Sequence, residues 1–182
     1  MSEHRSEAKV ARAGNAAGNA VEIHQQLLAR GETVATAESL TAGLVGAALT
    51  SVPGASATYR GGVIVYATDL KTELLGVPAD LLARRGAVDP DVARALATGV
   101  RTRLGASWGL GLTGVAGPDP QDGCPVGTVF VGIAGPNRDP ALASLQLPGD
   151  RAQIRAASVD AALQLLRDSL LRDSLDDAEY RG

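Results

Sequence analysis

The stretch Val-Ala-Thr-Ala-Glu-Ser-Leu-Thr-Ala-Gly, residues 34–43, carries a change from strand to helix. Residues 34–37 alternate small apolar residues with threonine, which is typical of a short strand. Residues 38–41 then turn the chain into a helix, which we expect to continue through Leu49 and to be stopped by Pro53-Gly54. Strands that pass into helices in this way are the repeating unit of α/β domains.

The rest of the chain continues this alternation. Further strands are predicted over residues 61–66, 108–113, 126–134 and 141–147, and further helices over residues 21–31, 69–75 and 78–86. Two more helices are predicted to start at Asp89-Pro90 and at Asp150, because aspartate is a common N-cap and proline fits the first helical position. This order predicts a three-layer α/β/α sandwich around a largely parallel or mixed sheet.

No interior linker separates the predicted elements, so we expect one domain over residues 18–175. Residues 1–17 are rich in alanine, glycine and glutamate without an apolar period, which predicts a disordered tail. Residues 176–182 are polar and predict a frayed C-terminus.

The composition narrows the class of protein. With 45% apolar and 20% charged residues, the 182-residue chain is ordinary for a soluble globular protein. Its net charge of −3 offers no basic field for a polyanion, so we expect no direct contact with nucleic acid. The single cysteine, Cys124, excludes an internal disulfide. No apolar run is long enough for a bilayer and no apolar signal segment is present, which predicts a cytoplasmic location without membrane contact.

Ser39 is the first candidate for chemistry, because it lies between a predicted strand and a predicted helix. Ligands bind at this edge of open α/β sheets. The N–H groups of residues 41–43, at the helix start, favour a phosphate, a carboxylate or an oxyanion. The alternative is that Ser39 is an ordinary helix N-cap.

Tyr66 and Lys71 are the candidates for a base beside Ser39. A nucleophilic serine usually uses a histidine, but His4 lies in the tail and His24 in the first helix. Lys71 stands out because 15 of the 17 basic residues are arginine, and a lysine can lose its proton when buried. The alternatives are a core-covering aromatic for Tyr66 and a solvated surface side chain for Lys71.

The glycine-rich segment Thr-Gly-Val-Ala-Gly-Pro, residues 113–118, also follows a predicted strand. Its glycines allow the backbone to approach a ligand closely, although a plain turn is an equally good interpretation. The spacing fits neither a Walker loop nor a dinucleotide fingerprint. Cys124 has no histidine nearby, and no group of residues has metal-ligand spacing.

Together these motifs resemble the C-terminal domain of the competence/damage-inducible protein CinA. The similarity covers roughly residues 20–170, and the matching segments occur in the same order: 36–43, 61–66 with Lys71, 86–88, 113–118, 125–129 and 148–151. Stand-alone members of this family are amidohydrolases that recycle nicotinamide mononucleotide to the nicotinate form. The resemblance implies an α/β sandwich that forms a homodimer or higher homo-oligomer and uses no metal or other cofactor.

The resemblance also implies roles for individual residues. Ser39 would attack the carboxamide carbon of a small-molecule nucleotide, while Tyr66 and Lys71 assist proton transfer. Arg60 and the loop 114–117 are the candidates for the 5′-phosphate. The full set of expected substrate-binding residues is Glu38, Thr41, Ala42, Gly43, Arg60, Thr113, Gly114, Ala116 and Gly117.

The chain departs from the family pattern near these motifs. Leu40 and Ala42 stand where relatives often have cysteine and glycine, Ala67 and Thr68 replace serine and asparagine, and Cys124 replaces a lysine. These changes leave two alternatives open. One is a non-catalytic nucleotide-binding or interaction module linked to competence or DNA damage, and the other is the same amidase chemistry on another small amide.

Overall fold

The structure is a computed structural model that describes residues 15–136 and 139–180, with only the backbone for residues 174–180. Most of the predicted N-terminal tail lies outside the described residues. The elements follow one another in the order α1 (Ala16–Arg30), β1 (Val34–Glu38), α2 (Leu44–Thr50), β2 (Tyr59–Ile64), α3 (Thr68–Leu75), α4 (Ala79–Arg85), α5 (Pro90–Arg103), β3 (Trp108–Gly114), β4 (Thr128–Ala134), β5 (Ala141–Gln146) and α6 (Arg151–Tyr180).

The strands form one mixed sheet in the order β2-β1-β3-β4-β5. The strand β1 pairs in parallel with both β2 and β3, whereas β3–β4 and β4–β5 are antiparallel. The carboxyl ends of β1, β2 and β3 therefore meet at one edge of the sheet, and this edge carries the segments that follow Glu38, Ile64 and Gly114. The predicted α/β fold with a largely parallel or mixed sheet is confirmed, and its sheet is mixed.

Helices cover both faces of the sheet. On one face, Trp108, Leu110 and Leu112 of β3 belong to a buried cluster with residues of α1, α2 and α6. On the other face, Ala35 and Ala37 of β1 belong to a cluster with residues of α3, α4 and α5. Each buried leucine or valine contributes roughly 1.5–3 kcal/mol relative to an exposed one. Apolar burial on both sides thus fixes the three layers.

The helix α5 lies unusually close to the sheet, over glycines of β3 and β4. A Cβ atom at Gly109 would lie 2.0 Å from the Ala97 carbonyl oxygen, and one at Gly132 would lie 2.4 Å from the Ala93 carbonyl oxygen. At Gly111 it would lie 2.5 Å from the Ala97 nitrogen. Only hydrogen fits at these positions, so α5 packs backbone against backbone.

Most predicted helix boundaries agree with the structure. Asp89 caps α5 by accepting from the Asp91 N–H at 2.8 Å, and Asp150 accepts from the Gln153 N–H at 2.9 Å at the start of α6. The helix predicted over residues 69–75 is α3, which begins one residue earlier, with Ala67 at its N-cap position. Asp69 lies in the first turn, where its charge suits the helix dipole.

The helix α6 extends to Tyr180, into the segment for which the sequence predicts a frayed end. Residues 176–180 contain neither glycine nor proline to stop the helix. Among the residues described, no helix combines the length and the apolar character needed to cross a membrane.

Candidate active site

Ser39 lies in a tight turn at the carboxyl end of β1, five residues before α2 begins. The Ala42 N–H donates to the Ser39 carbonyl at 3.1 Å, and Ala42 has a positive φ of 49°. The N-cap position of α2 is Gly43, which has no side chain that could bond to the first N–H groups of the helix. The interpretation of Ser39 as a helix N-cap is therefore wrong, because the helix starts further along the chain than the sequence pattern indicates.

The Glu38 side chain caps the N-terminus of α2. Its carboxylate is 2% exposed and accepts from the N–H groups of Gly43 at 2.8 Å, Val45 at 3.1 Å and Gly46 at 2.8 Å. These are N–H groups that a helix otherwise leaves free. The Ala42 and Gly43 N–H groups, which the sequence suggested for an anion, are thus already bonded inside the chain, and Glu38 acts on the turn rather than on a ligand.

Lys71 is buried beside Ser39, with 1% of its surface exposed. Its ammonium group donates to the Val65 carbonyl at 2.6 Å, to Ser39 Oγ at 3.3 Å and to the Tyr66 carbonyl at 3.4 Å. Helix α3 turns the side chain back onto the end of β2 and thereby brings it to the end of β1. The alternative of a solvated surface lysine is wrong.

Burial controls the protonation of this amine. It lowers the pKa of Lys71 below the ordinary lysine value, and the carboxylates of Asp122 and Asp69 offset part of the effect by favouring the charged form. In the fold, the Lys71 amine therefore becomes neutral at a lower pH than it would in water. A proton acceptor for Ser39 must be neutral.

This lowered pKa predicts a pH dependence of stability. Between the folded-state pKa of Lys71 and its unfolded value of about 10.4, the unfolded chain binds a proton that the folded chain does not. The free energy of unfolding is therefore expected to rise with pH across this window, and this contribution is lost as pH falls through the folded-state pKa. Denaturant unfolding at a series of pH values should show a steeper rise for the natural chain than for Lys71→Met. Equal slopes would contradict the assignment.

Ser39 and Lys71 open onto a cavity of about 160 Å³. Of the predicted site residues, the cavity brings together Ser39, Tyr66, Lys71, Thr113, Gly114, Ala116 and Gly117. It does not include Glu38, Thr41, Ala42, Gly43 or Arg60 among its lining residues. The lining also includes Val115 of the predicted loop 114–117. Six further lining residues had no predicted role: Leu40, Ala87, Val88, Asp119, Gln121 and Arg151.

Tyr66 lies on the cavity wall with 57% of its surface exposed, so it does not cover the core. Its hydroxyl accepts from Arg151 Nη2 at 3.0 Å, and Arg151 Nη1 donates to the Gly117 carbonyl at 2.7 Å. No hydrogen bond joins the Tyr66 hydroxyl to Ser39 in the described part of the chain. The sequence indicated Arg151 only as part of the segment 148–151, at a predicted helix start and among the segments that resemble the family, and predicted no role for it.

Arg60 lies at the wrong end of the sheet for the predicted phosphate contact. It is the second residue of β2, and its Nε donates to the Leu104 carbonyl at 3.1 Å. The cavity adjoins the opposite end of this strand, next to Ile64 and Tyr66. The expectation failed because sequence distance alone does not tell at which end of a strand a residue lies relative to the site.

The far wall of the cavity, Ala87-Val88, is held by the loop that follows β3. Asp122 accepts from the Ala87 N–H at 2.6 Å and the Val88 N–H at 3.1 Å. Thr113 Oγ1 donates to the Ala87 carbonyl at 2.6 Å, and Cys124 Sγ lies 3.6 Å from the Val88 carbonyl. Cys124 thus supports this wall. In the residues that the structure covers, no His, Cys, Asp and Glu side chains group together as a metal site would require.

Comparison with known proteins identifies the family. A family model of the CinA C-terminal domain matches residues 17–170. A CinA-like protein of Frankia casuarinae is 53% identical over 141 residues, which cover 78% of this chain and 32% of that protein. One of Gemmatimonas aurantiaca is 48% identical over 149 residues, which cover 80% and 34%. The chain belongs to the CinA C-terminal domain family, and it spans about a third of the length of these curated relatives.

Solved structures have the same fold. A competence-damaged protein (CinA) superfamily protein of Klebsiella pneumoniae superposes with a TM-score of 0.83 and 30% identity, over 87% of this chain and 99% of that one. The competence/damage inducible protein CihA of Agrobacterium tumefaciens gives a TM-score of 0.82 and 32% identity, over 89% and 99%. The family expected from the motifs is thereby confirmed.

Proposed function

We propose that this chain is an amidohydrolase that converts nicotinamide mononucleotide and water to nicotinate mononucleotide and ammonia. The observation that carries the proposal is the buried Lys71 amine, 3.3 Å from Ser39 Oγ at the wall of a cavity. Family membership adds support, since the CinA family includes stand-alone amidohydrolases. A serine paired with a lysine is a known arrangement for acyl transfer when histidine is absent.

Proton transfer in this proposal runs between Ser39 and Lys71. When the Lys71 amine is neutral, its two N–H groups remain hydrogen-bonded to the carbonyls of Val65 and Tyr66. Its lone pair then accepts the proton of the Ser39 hydroxyl. Ser39 Oγ then bonds to the carboxamide carbon, the C–N bond breaks, and ammonia leaves with the proton held by Lys71. Water next attacks the nicotinoyl ester and gives its proton to Lys71. As the bond from the acyl carbon to Ser39 Oγ breaks, Lys71 passes this proton to Ser39 Oγ, which frees nicotinate mononucleotide and restores the serine and the neutral amine. Lys71 is the base in this scheme, and Tyr66 contributes to the cavity wall.

The oxyanion of this reaction needs donors that the fold has not used. The Ser39 N–H donates to the Leu112 carbonyl at 3.2 Å, and the Ala42 N–H donates to the Ser39 carbonyl. The N–H groups of Leu40 and Thr41 have no acceptor in the described part of the chain, and Leu40 lines the cavity. Of these two, the Leu40 N–H lies at the cavity, so it is the candidate oxyanion donor in place of the N–H groups of residues 41–43. One oxyanion donor is worth about 3–4 kcal/mol.

Arg151 replaces Arg60 as the cation for the 5′-phosphate, because it is exposed at the cavity and Arg60 is not near it. Loss of a charge-assisted contact predicts that Arg151→Ala raises KM for nicotinamide mononucleotide roughly 10- to 100-fold with little change in kcat. Arg60→Ala is the matched control and should leave KM unchanged. Nicotinamide riboside, which has no phosphate, should show no such increase in KM with Arg151→Ala. An equal increase for both substrates would contradict a phosphate contact.

Ammonia release tests the proposed function directly. The purified chain should release ammonia from nicotinamide mononucleotide faster than from nicotinamide riboside or unrelated amides. Release only from a different amide would overturn the substrate and keep the chemistry. No release from any amide would overturn the enzyme and favour a binding or interaction module.

A further inference from the structure

Arg155 makes a contact that the proposed mechanism does not yet use. It lies near the start of α6, is half-buried, and is absent from the cavity lining. Its Nε donates to the Leu40 carbonyl at 2.9 Å, and its Nη2 donates to the Thr41 carbonyl at 3.2 Å. One guanidinium therefore holds two successive carbonyls of the turn that follows Ser39, across 114 residues or more of sequence.

The bond from Arg155 to the Leu40 carbonyl fixes the direction of the Thr41 N–H, and a bond within the turn fixes that of the Leu40 N–H. In a trans peptide the carbonyl of one residue and the N–H of the next point in opposite directions. Because the Leu40 carbonyl points at Arg155, the Thr41 N–H points away from it. The Ser39 carbonyl is held inside the turn by the Ala42 N–H, so the Leu40 N–H points out of the turn.

The turn also contains an unusual concentration of unused donors. Thr41 is fully buried, and its Oγ1 has no partner in the described part of the chain, as is true of the two N–H groups. Buried polar groups are almost always hydrogen-bonded, and exceptions are common at catalytic sites. Glu38 meanwhile occupies the N–H groups at the start of α2. Glu38 and Arg155 together hold the turn from two sides and leave only its central N–H groups free.

We propose that Arg155 is a positioning residue, which holds the Leu40 and Thr41 carbonyls and thereby fixes the turn so that the free N–H of the cavity-lining Leu40 stabilises the oxyanion formed at Ser39. The guanidinium acts from behind the peptide and touches neither the substrate nor the reacting atoms. Its positive charge also polarises the Thr41 carbonyl, which strengthens the Ala42 N–H of the same peptide as the donor to the Ser39 carbonyl. That bond in turn polarises the Leu40 N–H, which shares a peptide with the Ser39 carbonyl. This inference rests on the proposed serine chemistry and adds the element that holds the oxyanion donor in place.

Arg155→Met tests the proposal. We expect kcat to fall about 10- to 100-fold with KM nearly unchanged, since the lost interaction acts in the transition state. Arg155→Lys should recover little, because an ammonium cannot span two carbonyls with the same fork. Millimolar guanidinium should restore part of the Arg155→Met rate.

Arg167→Met is the matched control: this α6 arginine bonds to Asn19 Oδ1 and Asp168, away from the turn. Its kcat should stay within about twofold of the natural chain.

A second measurement keeps this inference separate from the choice of substrate. A fluorophosphonate probe reacts with Ser39 Oγ to form an O–P bond and release fluoride, and intact mass reports the adduct. We expect Arg155→Met to slow labelling by a similar factor, while thermal unfolding checks that the variant is folded. Labelling without deamidation in the natural chain would overturn the substrate alone. Normal kcat and labelling in a folded Arg155→Met would overturn the positioning role, and neither activity in the natural chain would overturn both proposals.

Discussion

Ser39→Ala is expected to lower ammonia release from nicotinamide mononucleotide by at least about 10³-fold, because nucleophile removal in serine hydrolases leaves only the residual effect of binding and oxyanion donors. The fold should be unchanged, since Lys71 is the only hydrogen-bond partner of Ser39 Oγ among the described groups and Ser39 caps no helix. Initial rates and thermal unfolding of the variant give the two quantities.

Ser51→Ala is the matched control for that substitution. Ser51 follows α2, and its hydroxyl donates to the Ala48 carbonyl at 2.7 Å on an exposed surface. It should keep the natural rate. Substantial turnover by Ser39→Ala would show that the hydroxyl is not the nucleophile and would leave direct attack by water as the chemistry.

Lys71→Met is expected to lower the rate of deamidation by roughly 10²–10⁴, which is the usual contribution of a positioned general base. Methionine keeps the apolar length of the side chain but cannot accept the Ser39 proton. The natural chain should gain activity with rising pH as the amine loses its proton, and it should level off above the lowered pKa of Lys71. The variant should lose this rising limb, which a pH–rate profile measures.

Arg84→Met controls for the loss of a positive charge, since Arg84 pairs with Asp80 on the surface at 2.7 Å. Its profile should match that of the natural chain within about twofold. A Lys71→Met profile with the same rising limb would assign the proton acceptor to another group, and the exposed Tyr66 would then be the next residue to replace.

The alternation of strands and helices could be predicted from the sequence because each element carries local signals. The N-caps Asp89 and Asp150 are examples, as is the β-branched run that ends β2. The start of α2 was misplaced because the signal for a cap at Ser39 is local, whereas the actual capping group is the Glu38 side chain, which folds forward over several residues. The antiparallel direction of β4 depends on tertiary pairing that no local pattern records.

The pairing of Ser39 with Lys71 was predictable because both follow strands whose carboxyl ends meet at one edge. Arg151 and Arg155 were not, because they lie more than 100 residues from Ser39 and reach the site only through the docking of α6. Arg60 was wrongly assigned to the site because a residue that is close in sequence can still be distant in space. It is near Tyr66 in sequence, but an extended strand of about 3.3 Å per residue separates the two ends.

The close packing of α5 on the glycines of β3 and β4 has a consequence for how a ligand fits. Two backbones in direct contact leave no space for sliding, so α5 and the residues 87–88 that precede it are expected to keep their positions when the cavity fills. Adaptation to the ligand must then come from the opposite side, where Tyr66 and Arg151 are exposed. Accommodation of the substrate is therefore asymmetric, with one immobile wall and one that conforms to what enters.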